Sequence, residues 1–240
     1  MYTQKLPQTA PHVENIMSGQ YSKTTLILAI LSMLICLLSV PFLQFPFTIV
    51  VKALPTLLLI SVTTKIQHST IRNLLLAALS FSLVGDLILS LPVDLALHAG
   101  IVAFICALCA YIMLFLKNAE FGNKRLSLFL TLLILMALSF YGLYSHLDDM
   151  KIPVMVYSCW LITMLFCALH VKQQTSIISI GAFLFLFSDL SFAVNQFIFA
   201  HDKFISILVM YLNYAAQFLL VIGVLEMKDF RAPITQQSVP

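Results

Sequence analysis

The sequence predicts an all-α protein, a polytopic membrane helix bundle of eight transmembrane helices with its N and C termini in the cytoplasm. Three observations carry this reading. Of the 240 residues, 61% are apolar and only 10% charged, against roughly 25% charged in a soluble domain. The apolar residues fall in runs of about 20, the length of helix that crosses a hydrocarbon core about 30 Å thick. Lys and Arg are spread unevenly over the breaks between those runs.

Residues 1–23 are polar, carry Pro7, Pro11 and Gly19, and read as a flexible tail. The first apolar run, Thr24 to Leu43, is too long for the core of a secretory signal and lacks a small-residue cleavage site. It is expected to stay as an anchor. Seven further spans follow at 47–64, 71–91, 95–116, 125–143, 153–171, 176–200 and 204–226, and 227–240 form a second polar tail. The membrane domain thus occupies 24–226 and leaves no room for a soluble catalytic domain. The breaks are short, among them Gln44-Phe-Pro46, Pro92-Val-Asp94 and Ala200-His-Asp-Lys203.

Counted over alternate breaks, ten cations fall on one side: Lys5, Lys23, Lys65, Arg72, Lys117, Lys124, Arg125, Lys172, Lys228 and Arg231. Lys52, Lys151 and Lys203 fall on the other. Cytoplasmic loops carry the excess of Lys and Arg, which places both termini inside. The formal charge is only +3, and the basic residues lie in loops rather than along a groove with interleaved aromatics. No nucleic-acid partner is expected. All five cysteines, Cys36, Cys106, Cys109, Cys159 and Cys167, sit inside apolar runs, where a small polarizable side chain packs well. Cys106-Ala-Leu-Cys109 has the spacing of a redox or metal pair, with no second pair beside it.

Two carboxylates stand inside spans. Asp189 lies in the run Gly181 to Gln196, and Asp86 in Phe81-Ser-Leu-Val-Gly-Asp86-Leu-Ile-Leu-Ser90. A charge at bilayer depth costs about 2.5–3.5 kcal/mol on insertion scales, so such residues face a bundle interior and commonly mark a site. The third and seventh spans run in the same direction, and each Asp lies 14 residues from its loop edge, Arg72 to Asp86 and Thr175 to Asp189. At about 1.5 Å per residue that is roughly 21 Å, so both fall at one depth toward the outer face. Two carboxylates facing each other in a low dielectric disfavour double ionisation. One then keeps a proton near neutral pH while the other is charged, which makes an acid and a base from identical side chains. The plainer alternative is that each Asp only fixes helix packing through Ser82, Ser188 or Asn195.

A shift of 103 residues superposes Asp86 on Asp189, His98 on His201 and Tyr111 on Tyr214. It points to a parallel four-plus-four internal repeat with a site where the halves meet. Lys52 enters the second span from the outer side, in the same leaflet as both Asp residues. Its ammonium suits a phosphate or a carboxylate, with snorkelling to the interface as the alternative. Pro55 is expected to kink that span. In the last span Tyr214 and Gln217 share a face, as do Asn213 and Gln217, and they read as pocket lining or as helix–helix glue. His98, His146 and His201 fall near outer span ends, but no pair has the i, i+4 spacing of a helical zinc motif.

The motifs Lys52-Ala-Leu-Pro55, Val84-Gly-Asp86-Leu-Ile-Leu, Gly100-Ile-Val-Ala-Phe104 with Tyr111, Gly181-Ala-Phe-Leu-Phe-Leu-Phe-Ser-Asp189, and Tyr214-Ala-Ala-Gln217 with Gly223 occur in this order. Together they resemble the lysoplasmalogenase, or YhhN, family of multi-pass membrane hydrolases, from the second helix to the eighth. Two positions depart from the family pattern. It often has a His where Leu108 stands, and often a second Tyr where Asn213 stands. The resemblance implies hydrolysis of the vinyl ether bond of a lysoplasmalogen to a fatty aldehyde and glycerophosphocholine or glycerophosphoethanolamine. Asp86 and Asp189 map onto the family's two motif Asp residues, and Lys52, Tyr111, Asn195, Tyr214 and Gln217 are expected to meet the substrate.

On this reading the partners are a lysophospholipid and the bilayer, of a bacterial inner membrane, and no metal or organic cofactor is needed. Paired intramembrane Asp residues also suit a different class, a proton-coupled lipid or small-molecule transporter. The spans lack a matched pair of Gly/Pro-broken helices, which weighs against that alternative.

Overall fold

The structure is a computed structural model that describes residues 20–39, 47–66, 68–93, 95–120, 126–172, 176–199 and 202–227. Eight α-helices follow in order: α1 Gln20–Ser39, α2 Phe47–Thr63, α3 Ser69–Leu89, α4 Ala96–Leu116, α5 Leu126–Leu143, α6 Lys151–Leu169, α7 Ser176–Phe197 and α8 Lys203–Glu226. Two 3-10 turns, Tyr144–His146 and Asp148–Met150, lie between α5 and α6. Among the described residues, six segments are long and apolar enough to cross a membrane: Ser69–Leu89, Ala96–Leu116, Phe129–His146, Asp148–Leu169, Ser176–Phe197 and Lys203–Glu226. The chain is an integral, multi-pass, all-α membrane protein.

The second of the eight expected spans falls short of full length, since α2 has only 17 residues. Pro55 lies inside it. Proline offers no N–H to the preceding turn, and its ring crowds the carbonyl four residues back. Elsewhere local chemistry sets the ends. Asp202 caps α8 by accepting the Ile205 N–H at 3.0 Å, and the His68 ring accepts from Ile71 at the start of α3. Residues 200 and 201, which include His201, and both expected tails lie almost wholly outside the described residues.

Helices α3 and α4 pack antiparallel through glycine, with Gly85 against Phe104 and Gly100 against Leu89. The α7–α8 pair is built the same way, with Gly181 against Leu220 and Gly223 against Ile178. Without a hydrophobic driving force between helices in lipid, such close backbone approach is what holds them. A Cβ at Gly223 would collide with Ile178 Cγ1 and sit 3.2 Å from the Ile178 backbone nitrogen. Backbone cannot rotate aside, so Gly223→Ala is expected to cost about 1–3 kcal/mol. A thermal-melting series on the detergent-solubilised protein checks this, and an unchanged midpoint would mean that α7 and α8 part freely.

The core runs between α3, α4, α6, α7 and α8 and includes Leu79, Leu108, Tyr111, Phe115, Met164, Phe185 and Leu220. The outer faces are apolar as well, with Leu138, Tyr141 and Phe204 among the most exposed side chains. Apolar surface on that scale is a membrane-facing surface. At the α4 and α6 C-termini, a short antiparallel bridge pairs Ala119 with Val171. It is closed by Glu120 N–H to His170 O at 2.7 Å and Lys172 N–H to Asn118 O at 2.6 Å. The exposed ion pair Lys172–Glu120, 2.7 Å, spans the same two loops.

Candidate active site

Asp86 follows Gly85 in the last turns of α3, where Gly85 lets the Phe104 ring of α4 pack against the backbone. Across from it, α8 presents Asn213, whose amide Nδ2 donates to Asp86 Oδ1 at 3.3 Å and Oδ2 at 3.2 Å. Behind Asn213 the fully buried Gln217 donates from Nε2 to Asn213 Oδ1 at 3.4 Å and accepts from the Thr56 hydroxyl of α2 at 3.1 Å. Lys52, also of α2, donates to Ser90 Oγ at 3.3 Å, and Ser90 Oγ donates to the Asp86 carbonyl at 2.8 Å. The Lys52 carbonyl accepts the Tyr214 hydroxyl at 2.9 Å. It lies three residues before Pro55, in the turn that proline loosens.

Asp189 is presented by α7. Its Oδ2 accepts the Tyr157 hydroxyl of α6 at 2.5 Å, at the short end of the range for O–H···O hydrogen bonds. The preceding Ser188 donates to Val209 O of α8 at 3.0 Å, which holds α7 against α8 at this level. Each intramembrane Asp thus has a hydrogen-bonding partner on another helix. The Ser82 hydroxyl, considered as a partner from the sequence, is buried with no partner among the described residues.

Three neighbouring spaces that share lining residues surround these groups. A polar chamber of about 560 Å³ is lined by Lys52, Asp86, Ser90, Asn195, Gln196, Ser206, Asn213 and Tyr214. An apolar pocket of about 90 Å³ contains both Asp86 and Asp189, with Phe104, Tyr157, Phe192 and Val209 in its walls. A groove of about 40 Å³ between α5, α6 and α7 reaches Asp189 from the other side, past Phe140, Leu143, Tyr157 and Ser158. Asp86 is common to the chamber and the pocket, and Asp189 to the pocket and the groove. The chamber's size falls within the roughly 300–1,000 Å³ of small-molecule sites.

Of the residues singled out from the sequence, Lys52, Asp86, Asn195 and Tyr214 meet at the chamber, and Asp189 meets Asp86 at the pocket. Asn195 donates to Ser206 Oγ at 2.9 Å and to Asp202 O at 3.3 Å. Its own Oδ1 is buried with no partner among the described residues, while the residue itself lines the chamber. Gln217 and Tyr111 line none of these three spaces. Gln217 stands one layer back, behind Asn213. Tyr111 is fully buried and packs on Phe115 and Phe185, with ring centroids 5.9 and 6.3 Å away. His98 and His146 are exposed.

Tyr157 and Thr56 were not singled out from the sequence. A tyrosine or a threonine in a membrane helix is ordinary, and only a tertiary contact to a carboxylate or an amide gives either one a role. The one legible signal was the depth of Tyr157, about two turns inside the N-terminal end of α6.

The fold and site define a membrane helix bundle with two carboxylates facing a small apolar pocket beside a polar, cation-bearing chamber. The YhhN family model matches residues 47–224, so the chain belongs to the YhhN family. The match takes in every residue of the site. No curated protein sequence and no solved structure gives a match.

Proposed function

We propose that this protein hydrolyses the vinyl ether bond of lysoplasmalogens inside the membrane, releasing a fatty aldehyde and glycerophosphocholine or glycerophosphoethanolamine. Asp86 and Asp189 act as the acid–base pair. One observation carries the reading: the order of groups along the cavity follows the order of atoms along the substrate. Lys52 stands in the polar chamber, Asp86 at its junction with the pocket, and Asp189 between the pocket and the apolar groove. A lysoplasmalogen presents phosphate, glycerol, ether oxygen, the α- and β-carbons of the double bond, and an alkyl chain in that sequence. Phosphate then meets the Lys52 ammonium, the double bond meets the two carboxylates, and the chain follows the groove toward lipid.

The chemistry requires what the site has. A vinyl ether is an enol ether, cleaved when an acid protonates the β-carbon and leaves an oxocarbenium ion. Water then adds at the α-carbon, and the hemiacetal collapses. The reaction needs an acid, a base and a field that stabilises positive charge, and two carboxyl groups in an apolar pocket offer all three. Tyr214 and Asn195 border the glycerol and headgroup, while Tyr157 holds Asp189.

The wider reading places 24–226 as one eight-span membrane domain between two polar tails, with both termini cytoplasmic and two parallel four-helix halves, in a bacterial inner membrane. The repeat rests on the 103-residue shift alone, because the glycine contacts lie at opposite ends of the α3–α4 and α7–α8 pairs.

Incubating the purified protein with alkenyl-lysophosphoethanolamine and coupling aldehyde release to an aldehyde-consuming dehydrogenase tests the proposal. Aldehyde formation supports it, and none in any lipid mixture sinks it. Within that assay, Lys52→Met is expected to raise KM about 10- to 100-fold with kcat little changed. A charge-assisted hydrogen bond is worth about 1.5–3 kcal/mol, and a loss felt equally in ground and transition states appears in KM. An unchanged KM would put the phosphate elsewhere.

A further inference from the structure

The two carboxylates are chemically identical, but their surroundings differ. A chain of donors runs toward Asp86. Thr56 gives its hydroxyl hydrogen to Gln217 Oε1 at 3.1 Å, so Gln217 turns its NH2 to Asn213 Oδ1 at 3.4 Å. Asn213 in turn presents its NH2 to both oxygens of Asp86, at 3.3 and 3.2 Å. Each amide has one acceptor and one donor end, and as they stand both amides turn their donor ends toward Asp86. An NH2 shared between both carboxyl oxygens favours the carboxylate. Lys52 adds a cation on the same chamber wall. Asp189, by contrast, faces the apolar pocket and groove, away from the chamber. The Tyr157 hydroxyl also favours a carboxylate at Oδ2, but neither the pocket nor the groove has a cation in its walls, and Oδ1 is left to carry a proton.

We infer that Asp86 is the ionised, water-activating member of the pair and Asp189 the proton donor, with Thr56, Gln217 and Asn213 as positioning residues that hold Asp86 in that state. The chemical step rests on the vinyl ether reading, and the assignment closes its proton balance. Asp189 gives its proton to the β-carbon, leaving Asp189 ionised and the substrate an oxocarbenium ion. Water entering from the chamber bonds to the α-carbon and yields a proton to Asp86. As the hemiacetal C–O bond breaks, Asp86 returns that proton to the glycerol oxygen and Asp189 takes the hemiacetal hydroxyl proton. Aldehyde and glycerol hydroxyl leave, and both carboxyl groups are back in their starting states. The other groups facing Asp86 are Lys52 of α2, Tyr214 of α8, Asp189 of α7 and Tyr157 of α6, with Cys36 of α1 behind Tyr214 at 3.8 Å.

Infrared spectroscopy of the full chain in lipid nanodiscs at neutral pH tests the assignment without turnover. A protonated carboxyl group has a carbonyl band distinct from that of a carboxylate. The other described carboxylates, Glu120, Asp148, Asp149, Asp202 and Glu226, are exposed and do not interfere. The expected result is one protonated-carboxyl band in the wild type, absent from Asp189→Asn and kept in Asp86→Asn. Asn213→Leu should gain a second such band, and Gln217→Met should gain it in part, because Asp86 then loses its donors. A band lost from Asp86→Asn and kept in Asp189→Asn would overturn the assignment, and so would an Asn213→Leu spectrum identical to the wild type. The expected bands without aldehyde release would fail the vinyl ether reading and leave the assignment standing.

Discussion

Asp189→Asn is expected to lower turnover by about 10²- to 10⁴-fold, the usual contribution of a positioned general acid. The change is nearly isosteric, and Tyr157 can still donate to the amide oxygen of the variant side chain as it does to Asp189 Oδ2. Asp189 faces an apolar pocket, so removing its proton leaves no acid at the β-carbon end. The polar chamber that would supply water lies on the Asp86 side and does not include Asp189 in its walls. Folded yield and melting midpoint should stay near wild type, since no buried charge is stranded. Aldehyde release measured against a melting curve checks both halves, and turnover within a few-fold of wild type would remove Asp189 from the chemistry.

Asp86→Asn is expected to cost turnover on the same scale through the other half of the reaction. Asn213 is held by Gln217 with its NH2 toward position 86, so an Asn there meets it with its own oxygen and the α3–α8 contact survives. What disappears is the group that accepts the water proton. Lys52 is untouched, so KM should move far less than kcat. If the two carboxyl groups act in one cycle, as proposed, the double variant should be no worse than the slower single variant. Multiplying losses would show that the two Asp residues act independently.

Much of this site was legible before any coordinates, for an electrostatic reason. A carboxylate in an otherwise apolar run is expensive to insert, so Asp86 and Asp189 stood out against their spans, as did Lys52 at the mouth of α2. What stayed hidden depended on contacts distant in sequence. Tyr157 meets Asp189 across 32 positions and Thr56 meets Gln217 across 161, and neither residue type is unusual where it stands. Gln217 was legible as polar and inward-facing, but its position behind Asn213 was not. Tyr111 looked like its counterpart Tyr214, yet Tyr111 stacks into a phenylalanine cluster while Tyr214 reaches the Lys52 carbonyl. Sequence symmetry carries no information about which neighbour fills the space around each ring.

The chain's apolar flanks and its graded cavity have a kinetic consequence. A substrate that reaches the carboxylates from the lipid phase is presented at a surface density, and its dilution is by other lipids rather than by water. The rate should then follow the mole fraction of lysolipid in the bilayer and be indifferent to the bulk volume at fixed composition. In the proposed reaction the two products would part into different phases, the aldehyde into the membrane plane and the glycerophospho compound into water, so they would not meet again at the site. Partitioning of this kind would drive the hydrolysis forward and leave the local membrane, rather than the solution, to bear the accumulation of aldehyde.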